Sequence, residues 1–236
     1  MTTEKDDTDV LAVFAMFNEL EEDSKARPRE QTSPILAAGG WQSNAQLIED
    51  VSRLYFREKD LVVDITYGRG KFWTDFEPPG LVKHDIRGDG VCWSKLPEES
   101  ESVDVVVMDP PYVAMGGRKT SNLKGMLDEY GMTTTQSWNA REVHDAAVPG
   151  MAEAFRVLKP GGLFWYKCQD YISNHRYQPA SHWAVTDCLA MGFIVEDRFD
   201  LVLAPRPQPF GRNQEHARRN ISHLLVFRKP TKKRKS

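Results

Sequence analysis

Asp109-Pro110-Pro111-Tyr112 stands at the end of the apolar run Val103-Asp104-Val105-Val106-Val107-Met108. A short β-branched run followed by an acid, two prolines and an aromatic predicts a buried strand that stops abruptly. Proline has no N–H with which to continue a ladder, and it restricts the backbone of the residue before it. A carboxylate and a ring are thereby held on a stiff turn at the carboxyl end of a strand, where open α/β sheets bind their ligands. The group suits a planar, amino-bearing substrate. The Asp109 carboxylate and a freed backbone carbonyl accept hydrogen bonds, while the Tyr112 ring stacks on its face.

A second constellation lies upstream, where Leu61-Val62-Val63 runs into Asp64-Ile65-Thr66-Tyr67-Gly68-Arg69-Gly70. Glycines at a strand end let the backbone turn sharply and approach a ligand closely. The segment lacks the third glycine of a dinucleotide fingerprint and the Gly-Lys-Ser/Thr of a phosphate loop. It suits a nucleoside without a pyrophosphate, with Asp64 meeting an ammonium group and the Gly68 and Gly70 backbone passing under a ribose. Thr66 and Tyr67 belong to the same loop. Asp85, about 20 residues on, stands where an acid bonds ribose hydroxyls in such folds, or it is a strand-end turn residue. Asp89, in Gly88-Asp89-Gly90, is open to an adjacent cofactor role or to a turn. Lys167 and Asp170 end a later strand beside the same place and could orient a substrate.

The elements that position these residues follow from periodicity. Ser43 is a predicted N-cap for a helix whose Leu47, Ile48, Val51, Leu54 and Tyr55 share one face. Strands are expected at 61–65, 81–85, 103–108, 163–168, 193–203 and 223–228. Met151, Ala154, Phe155 and Leu158 mark a helix that Pro149 is expected to open at its first turn and Lys159-Pro160-Gly161-Gly162 to end. Another helix is expected around 180–191. Alternating strands and helices imply an α/β, doubly wound, mostly parallel sheet, and the last two strands, joined without a helix, an antiparallel hairpin at one edge. Residues 113–140 hold four glycines and little periodicity, and so long a loop is more often functional than idle. A further helix is expected over 8–22, followed by a polar linker. The domain organisation predicted is an N-terminal extension over 1–33, one domain over 34–229, and a basic tail over 230–236.

At 236 residues, 40% of them hydrophobic, the chain can bury one sizeable core. No run approaches the roughly 20 apolar residues needed to span a bilayer, and the polar, acidic start is unlike a targeting signal. A cytoplasmic location is expected. Three cysteines without a Cys-x-x-Cys pair, and six histidines without ligand spacing, predict no metal. The net charge of −3 hides an asymmetry: residues 1–30 carry nine acidic and four basic side chains, residues 201–236 ten basic and one acidic. A local basic face, rather than total charge, decides nucleic-acid binding. The run Lys232-Lys233-Arg234-Lys235 is either a solvated tail or a source of non-specific phosphate attraction.

Taken in order, Asp-x-Thr-Tyr-Gly-x-Gly, Leu96-Pro97, Ser102-Val103-Asp104, Asp-Pro-Pro-Tyr and Arg156-Val157-Leu158-Lys159-Pro160-Gly161-Gly162 resemble S-adenosylmethionine-dependent DNA amino-methyltransferases. The resemblance covers roughly residues 34–229, and the ending through Leu225-Val226-Phe227-Arg228-Lys229 looks like compact members from bacteria and their phages. It implies a Rossmann-like methyltransferase sheet, S-adenosyl-L-methionine as cofactor, and transfer of its methyl to an exocyclic base nitrogen of DNA, adenine N6 before cytosine N4. It assigns Asp109, Pro110, Pro111 and Tyr112 to the catalytic motif. To the cofactor it assigns Asp64, Thr66, Tyr67, Gly68, Gly70 and Asp85, with Asp89 adjacent. The amino hydrogens are accepted by the Asp109 carboxylate and the Pro110 carbonyl. The resemblance further implies that the base flips out of the duplex, with Tyr112 as its expected stacking platform. Arg118, Lys119, Arg212, Arg218 and Arg219 are the expected phosphate contacts. The chain departs from the family in having only 45 positions between Asp64 and Asp109, short for two full βα units. No large target-recognition domain is expected within these residues, so sequence preference would fall to the 113–140 loop, the basic C-terminal segment, or a restriction or specificity partner. Structured RNA, a protein glutamine, and a non-catalytic methyltransferase-like subunit are the alternatives; an Asn-Pro-Pro-Tyr motif would suit the amide better than Asp109 does.

Overall fold

The computed structural model describes residues 36–111, 139–204, 213–217 and 219–231. The helix and linker expected over 8–33, Tyr112, Arg118, Lys119, Arg212, Arg218 and the basic tail from Lys232 lie outside them, as does nearly all of the 113–140 loop.

The described elements run α1 (Asn44–Tyr55), β1 (Val62–Asp64), a 3-10 turn (Lys71–Trp73), β2 (Val82–Lys83), β3 (Val103–Met108), α2 (Ala140–Val157), β4 (Leu158–Cys168), β5 (Tyr171–Ser173), β6 (Arg176–Gln178), α3 (Ala180–Ala190), β7 (Ile194–Val202) and β8 (Ile221–Arg228). Six strands form one sheet in the order β2-β1-β3-β4-β8-β7, and β5 and β6 form a separate hairpin. β1, β2, β3 and β4 pair in parallel. β8 runs antiparallel between β4 and β7, so the expected edge hairpin is present, with β7 outermost.

Side chains alternate across this sheet, as strand geometry requires. Val63, Val106, Met108, Phe164, Tyr166 and Phe227 face one core with Met151 and Ala154 of α2 and Ala184 and Cys188 of α3. Val62, Val105, Val107, Trp165 and Val226 face a second core with Leu47, Ile48 and Val51 of α1. Helices therefore cover both faces of the sheet. Trp165 is fully buried and stacks on Phe56 at 4.5 Å.

α1 begins where the sequence predicts, with Ser43 in extended conformation and its hydroxyl accepting from Gln46 N. α2 does not. Pro149 lies inside this helix, which starts nine residues earlier at Ala140. Asn139 and Glu142 form a reciprocal capping box there, which fixes the start more strongly than a proline at the first turn could. A proline inside a helix forfeits one backbone hydrogen bond. The Trp93 indole donates to Ala146 O close by. The helix also stops sooner than expected, at Val157, and Lys159-Pro160-Gly161-Gly162 already belongs to β4. The buried Lys229 ammonium seals the helix end, donating to Phe155 O at 2.7 Å and Leu158 O at 2.8 Å.

The short spacing between Asp64 and Asp109 has a structural basis. Between β1 and β2 the chain makes a single 3-10 turn, and between β2 and β3 it makes no helix or strand. The irregular segment is pinned to α2 instead. Arg156 donates to Leu96 O and Glu98 O, and Glu153 accepts from Leu96 N at 2.8 Å.

Candidate active site

Asp64 ends β1, and its side chain is buried. Trp73 Nε1 donates to its Oδ2 at 2.8 Å, and Thr66 N donates to its Oδ1 at 2.9 Å. Burial nevertheless pushes the carboxyl up to about 6; these hydrogen bonds pull it back only in part, and the Asp85 charge adds to the rise. Trp73 is a residue that motif reading passes over. Its only sequence signal is its place in Lys71-Phe72-Trp73, directly after Gly70.

The glycine turn is shaped by two left-handed residues, Gly68 at φ 53° and Gly70 at φ 68°. At Gly70 the requirement is double, because a Cβ there would stand 2.5 Å from Tyr67 Oη. Asp85 closes the loop from β2: its Oδ2 accepts from Gly68 N at 3.1 Å, and its Oδ1 from Arg87 N at 2.9 Å. Asp89 is turned elsewhere. Its Oδ2 meets His84 Nδ1 at 2.5 Å, while its Oδ1 accepts from Asp85 N and Val91 N, both at 3.1 Å. Burial works to raise the Asp89 pKa, but these hydrogen bonds outweigh it and hold the carboxyl at about 2. The turn role is the one its contacts describe. His84 is itself sandwiched, its Nε2 lying 2.7 Å from Glu98 Oε1.

Asp109 follows β3. Its backbone N–H donates to Thr66 Oγ1 at 2.6 Å, which ties the turn after β3 to the glycine loop after β1. Its Oδ1 is buried and has no hydrogen-bond partner among the described residues. Burial pushes the carboxyl up to about 7; Lys167 opposes the rise and Asp64 adds to it.

Asp64, Thr66, Tyr67, Gly68, Asp85 and Asp109 line a single cavity of about 110 Å³, together with Arg69, Lys71, Phe72 and Asn44. Asn44 comes from the first turn of α1, and no local pattern marks it. Its Oδ1, like that of Asp109, is buried without a partner among the described residues. Two buried acceptors without partners among the described residues thus line one cavity, where the donors of a bound molecule would satisfy them. No cluster of metal-binding side chains occurs among the described residues.

Two residues expected near the site have other attachments. The Asp170 carboxylate is held well below its usual range: burial would raise it, but His223, Tyr177 and Ser181 outweigh burial. Its Oδ2 accepts from Tyr177 Oη at 2.5 Å and its Oδ1 from Ser181 N at 2.8 Å. Arg219 lies over the Tyr177 ring at 4.7 Å, and its carbonyl accepts from Gln169. These bonds brace the β5–β6 hairpin, an element the sequence reading did not expect. Its signal was Asn174-His175, both with positive φ, at a two-residue turn.

No family model matches the sequence, and no curated protein matches it. Among solved structures, the chain is similar to a candidate DNA modification methylase from Thermus thermophilus in complex with S-adenosyl-L-methionine. The identity is 22%, the match covers 59% of this chain and 51% of that one, and the TM-score is 0.38. The chain thus spans about half the length of that protein. It is also similar to a candidate methyltransferase from Bacillus halodurans, at 13% identity, 79% of this chain, 99% of that one and TM-score 0.46. A SAM-dependent methyltransferase from Methanosarcina mazei matches at 13% identity, 77% of this chain, 98% of that one and TM-score 0.44. What the chain does is therefore read from its own site.

Proposed function

We propose that the protein transfers a methyl group from S-adenosyl-L-methionine to the exocyclic amino group of a DNA base, with adenine N6 favoured. One observation carries the reading: the two carboxylates at the ends of neighbouring parallel strands, Asp64 and Asp109, face one cavity and are joined through Thr66.

The residues present fit the cofactor. Gly68 and Gly70 let the backbone pass close beneath a ribose, Asp85 lies in the same wall, and Asn44 Oδ1 has no donor among the described residues. Asp64 and Asp109, when ionised, favour a cation in a cavity that also holds Arg69 and Lys71. When bound, S-adenosyl-L-methionine supplies the electrophilic methyl group.

The remaining chemistry falls to the chain. An exocyclic base nitrogen is a poor nucleophile because its lone pair is delocalised into the ring. The unpartnered Asp109 Oδ1 and the Pro110 carbonyl accept its hydrogens, which favours sp³ character at the nitrogen. Positioning then supplies much of the rate. Tyr112 provides the ring on which the extruded base stacks, a contact worth about 1–3 kcal/mol. Arg118, Lys119, Arg212, Arg218 and Arg219 form the phosphate-contacting set in this reading. The domain of 34–229 carries the activity.

The test is direct. The protein is incubated with methyl-labelled cofactor and, separately, duplex DNA, structured RNA and glutamine-bearing peptides, and digests are analysed by mass spectrometry. N6-methyladenine from the DNA arm is expected. N4-methylcytosine would replace the base but keep the class, whereas label confined to RNA or peptide would overturn the DNA assignment.

A further inference from the structure

We propose that Lys167 is a positioning residue for this site, its buried ammonium acting on Asp109 through space to keep the carboxylate ionised and open to the incoming amino group. The inference rests on the role of Asp109 given above.

Strand register places the two side by side. Val107 pairs with Trp165 and Met108 with Tyr166, so Asp109 and Lys167 are the next residues on adjacent parallel strands. Alternation puts both on the face of Val107 and Trp165. Asp64, opposite Val107 on β1, shares that face. At the carboxyl ends of three neighbouring strands, on one side of the sheet, thus stand Asp64 as the last residue of β1, Asp109 just past β3 and Lys167 one residue before the end of β4.

Lys167 is 1% exposed. Burying an ammonium is costly unless it is paired and hydrogen-bonded. Its Nζ donates to Ser222 Oγ of β8 at 2.5 Å, a neutral partner that holds the group in place without cancelling its charge. Leucine or methionine would fill the same space among Trp165 and Leu224 without that cost, so packing gives no reason for the charge. Asp109, whose buried Oδ1 has no hydrogen-bond partner among the described residues, gives one.

The electrostatics agree with the geometry. Burial lowers the Lys167 pKa, while Asp109, Cys168 and Asp200 favour its charged form. Asp109 feels burial and Asp64 pushing it towards the neutral acid, with Lys167 as the opposing group. Across the sheet, His223 is engaged with Asp200 at 2.7 Å and Asp170 with Tyr177 and Ser181. The state matters for chemistry. An ionised carboxylate only accepts hydrogen bonds, whereas a protonated one also presents a donor that competes with the amino hydrogens.

Two full-length variants separate charge from packing. Lys167→Gln keeps a donor for Ser222 and removes the charge, and Lys167→Met removes both. Asp109 is titrated by carbon-detected NMR of aspartate-labelled protein, its signal assigned with Asp109→Asn. In both variants the Asp109 midpoint is expected to rise by about one pH unit, a roughly fivefold loss of ionised carboxylate at neutrality. The acid limb of the methyl-transfer profile, at saturating cofactor, should shift equally, with activity recovered at alkaline pH. An unmoved Asp109 midpoint in Lys167→Gln overturns the proposal, whatever the activity. Should Lys167→Met fail to fold, the Gln variant still decides. Absence of methyl transfer to DNA by the wild-type protein would instead sink the functional reading, and the titration would still decide the Lys167–Asp109 relationship.

Discussion

Thr66 Oγ1 accepts the backbone N–H of Asp109 at 2.6 Å and stands 3.4 Å from Asp64 Oδ1. One hydroxyl thus sets the distance between the loop expected to hold the cofactor and the turn expected to hold the acceptor. In-line transfer depends on that distance, because displacements of about 1 Å can cost on the order of a hundredfold in rate.

Thr66→Val keeps the shape and removes the acceptor. It should leave the Asp109 N–H unsatisfied, cost roughly 1–3 kcal/mol of stability, and slow methyl transfer by about tenfold or more. Thr66→Ser should recover most of both. Denaturant unfolding and single-turnover rates on the same preparations check this, and a Val variant of unchanged rate would show the tie to be idle.

Asp109→Asn should abolish methyl transfer and leave cofactor binding largely intact. It should also change stability in a pH-dependent way. The folded-state pKa of about 7 lies above the ordinary 3.8, so between these values the folded protein binds a proton that the unfolded chain does not. Stability therefore falls as pH rises through that window. Asp64, at about 6, acts in the same sense. At pH 8 the Asn variant should exceed the wild type by on the order of 1–4 kcal/mol, and near pH 4 the two should converge. Urea titrations at the two pH values measure the difference.

Gly70→Ala places a methyl group 2.5 Å from Tyr67 Oη at a residue with φ 68°. The strain should reshape the loop and weaken S-adenosyl-L-methionine binding by roughly tenfold or more, equivalent to about 1.4 kcal/mol. Isothermal calorimetry reads this directly, and unchanged affinity would mean that the loop does not touch the cofactor.

His84 holds the β2 end of the site between Asp89 and Glu98. Burial works against its charge, but the two carboxylates outweigh burial, and its pKa is raised. The stabilisation is thus fully present below the ordinary value and is lost as pH rises through the folded one. His84→Phe should destabilise the protein most in mildly acid solution and progressively less in alkaline. A penalty independent of pH would mean that only the shape of His84 matters.

Much of the site was legible because its signals are local. The run into Asp109-Pro110-Pro111 and the glycines after Asp64 each announce a strand end by composition, and both are strand ends here. Elements whose limits depend on distant contacts were read less well. Pro149 points to a helix start, yet the Asn139–Glu142 capping box that sets the start of α2 lies in the sequence as a plain Asn-x-x-Glu. A helical proline was overruled by a cap and by burial against Met108, whose Cε would stand 2.7 Å from a Cβ at Gly150. The three-residue strands of the β5–β6 hairpin carry almost no periodicity, so no pattern marks them in the sequence.

The sequence by itself determined which residues end which strands, since proline, glycine and β-branched runs act on their own backbone. It could not determine what each carboxylate meets. Asp64, Asp85, Asp89 and Asp109 are the same side chain in sequence. The fold buries the first against Trp73, spans the second to Gly68, turns the third to His84 and leaves the fourth an oxygen without a partner among the described residues. Desolvation and hydrogen bonding are set by neighbours far along the chain, and only tertiary structure brings those neighbours together.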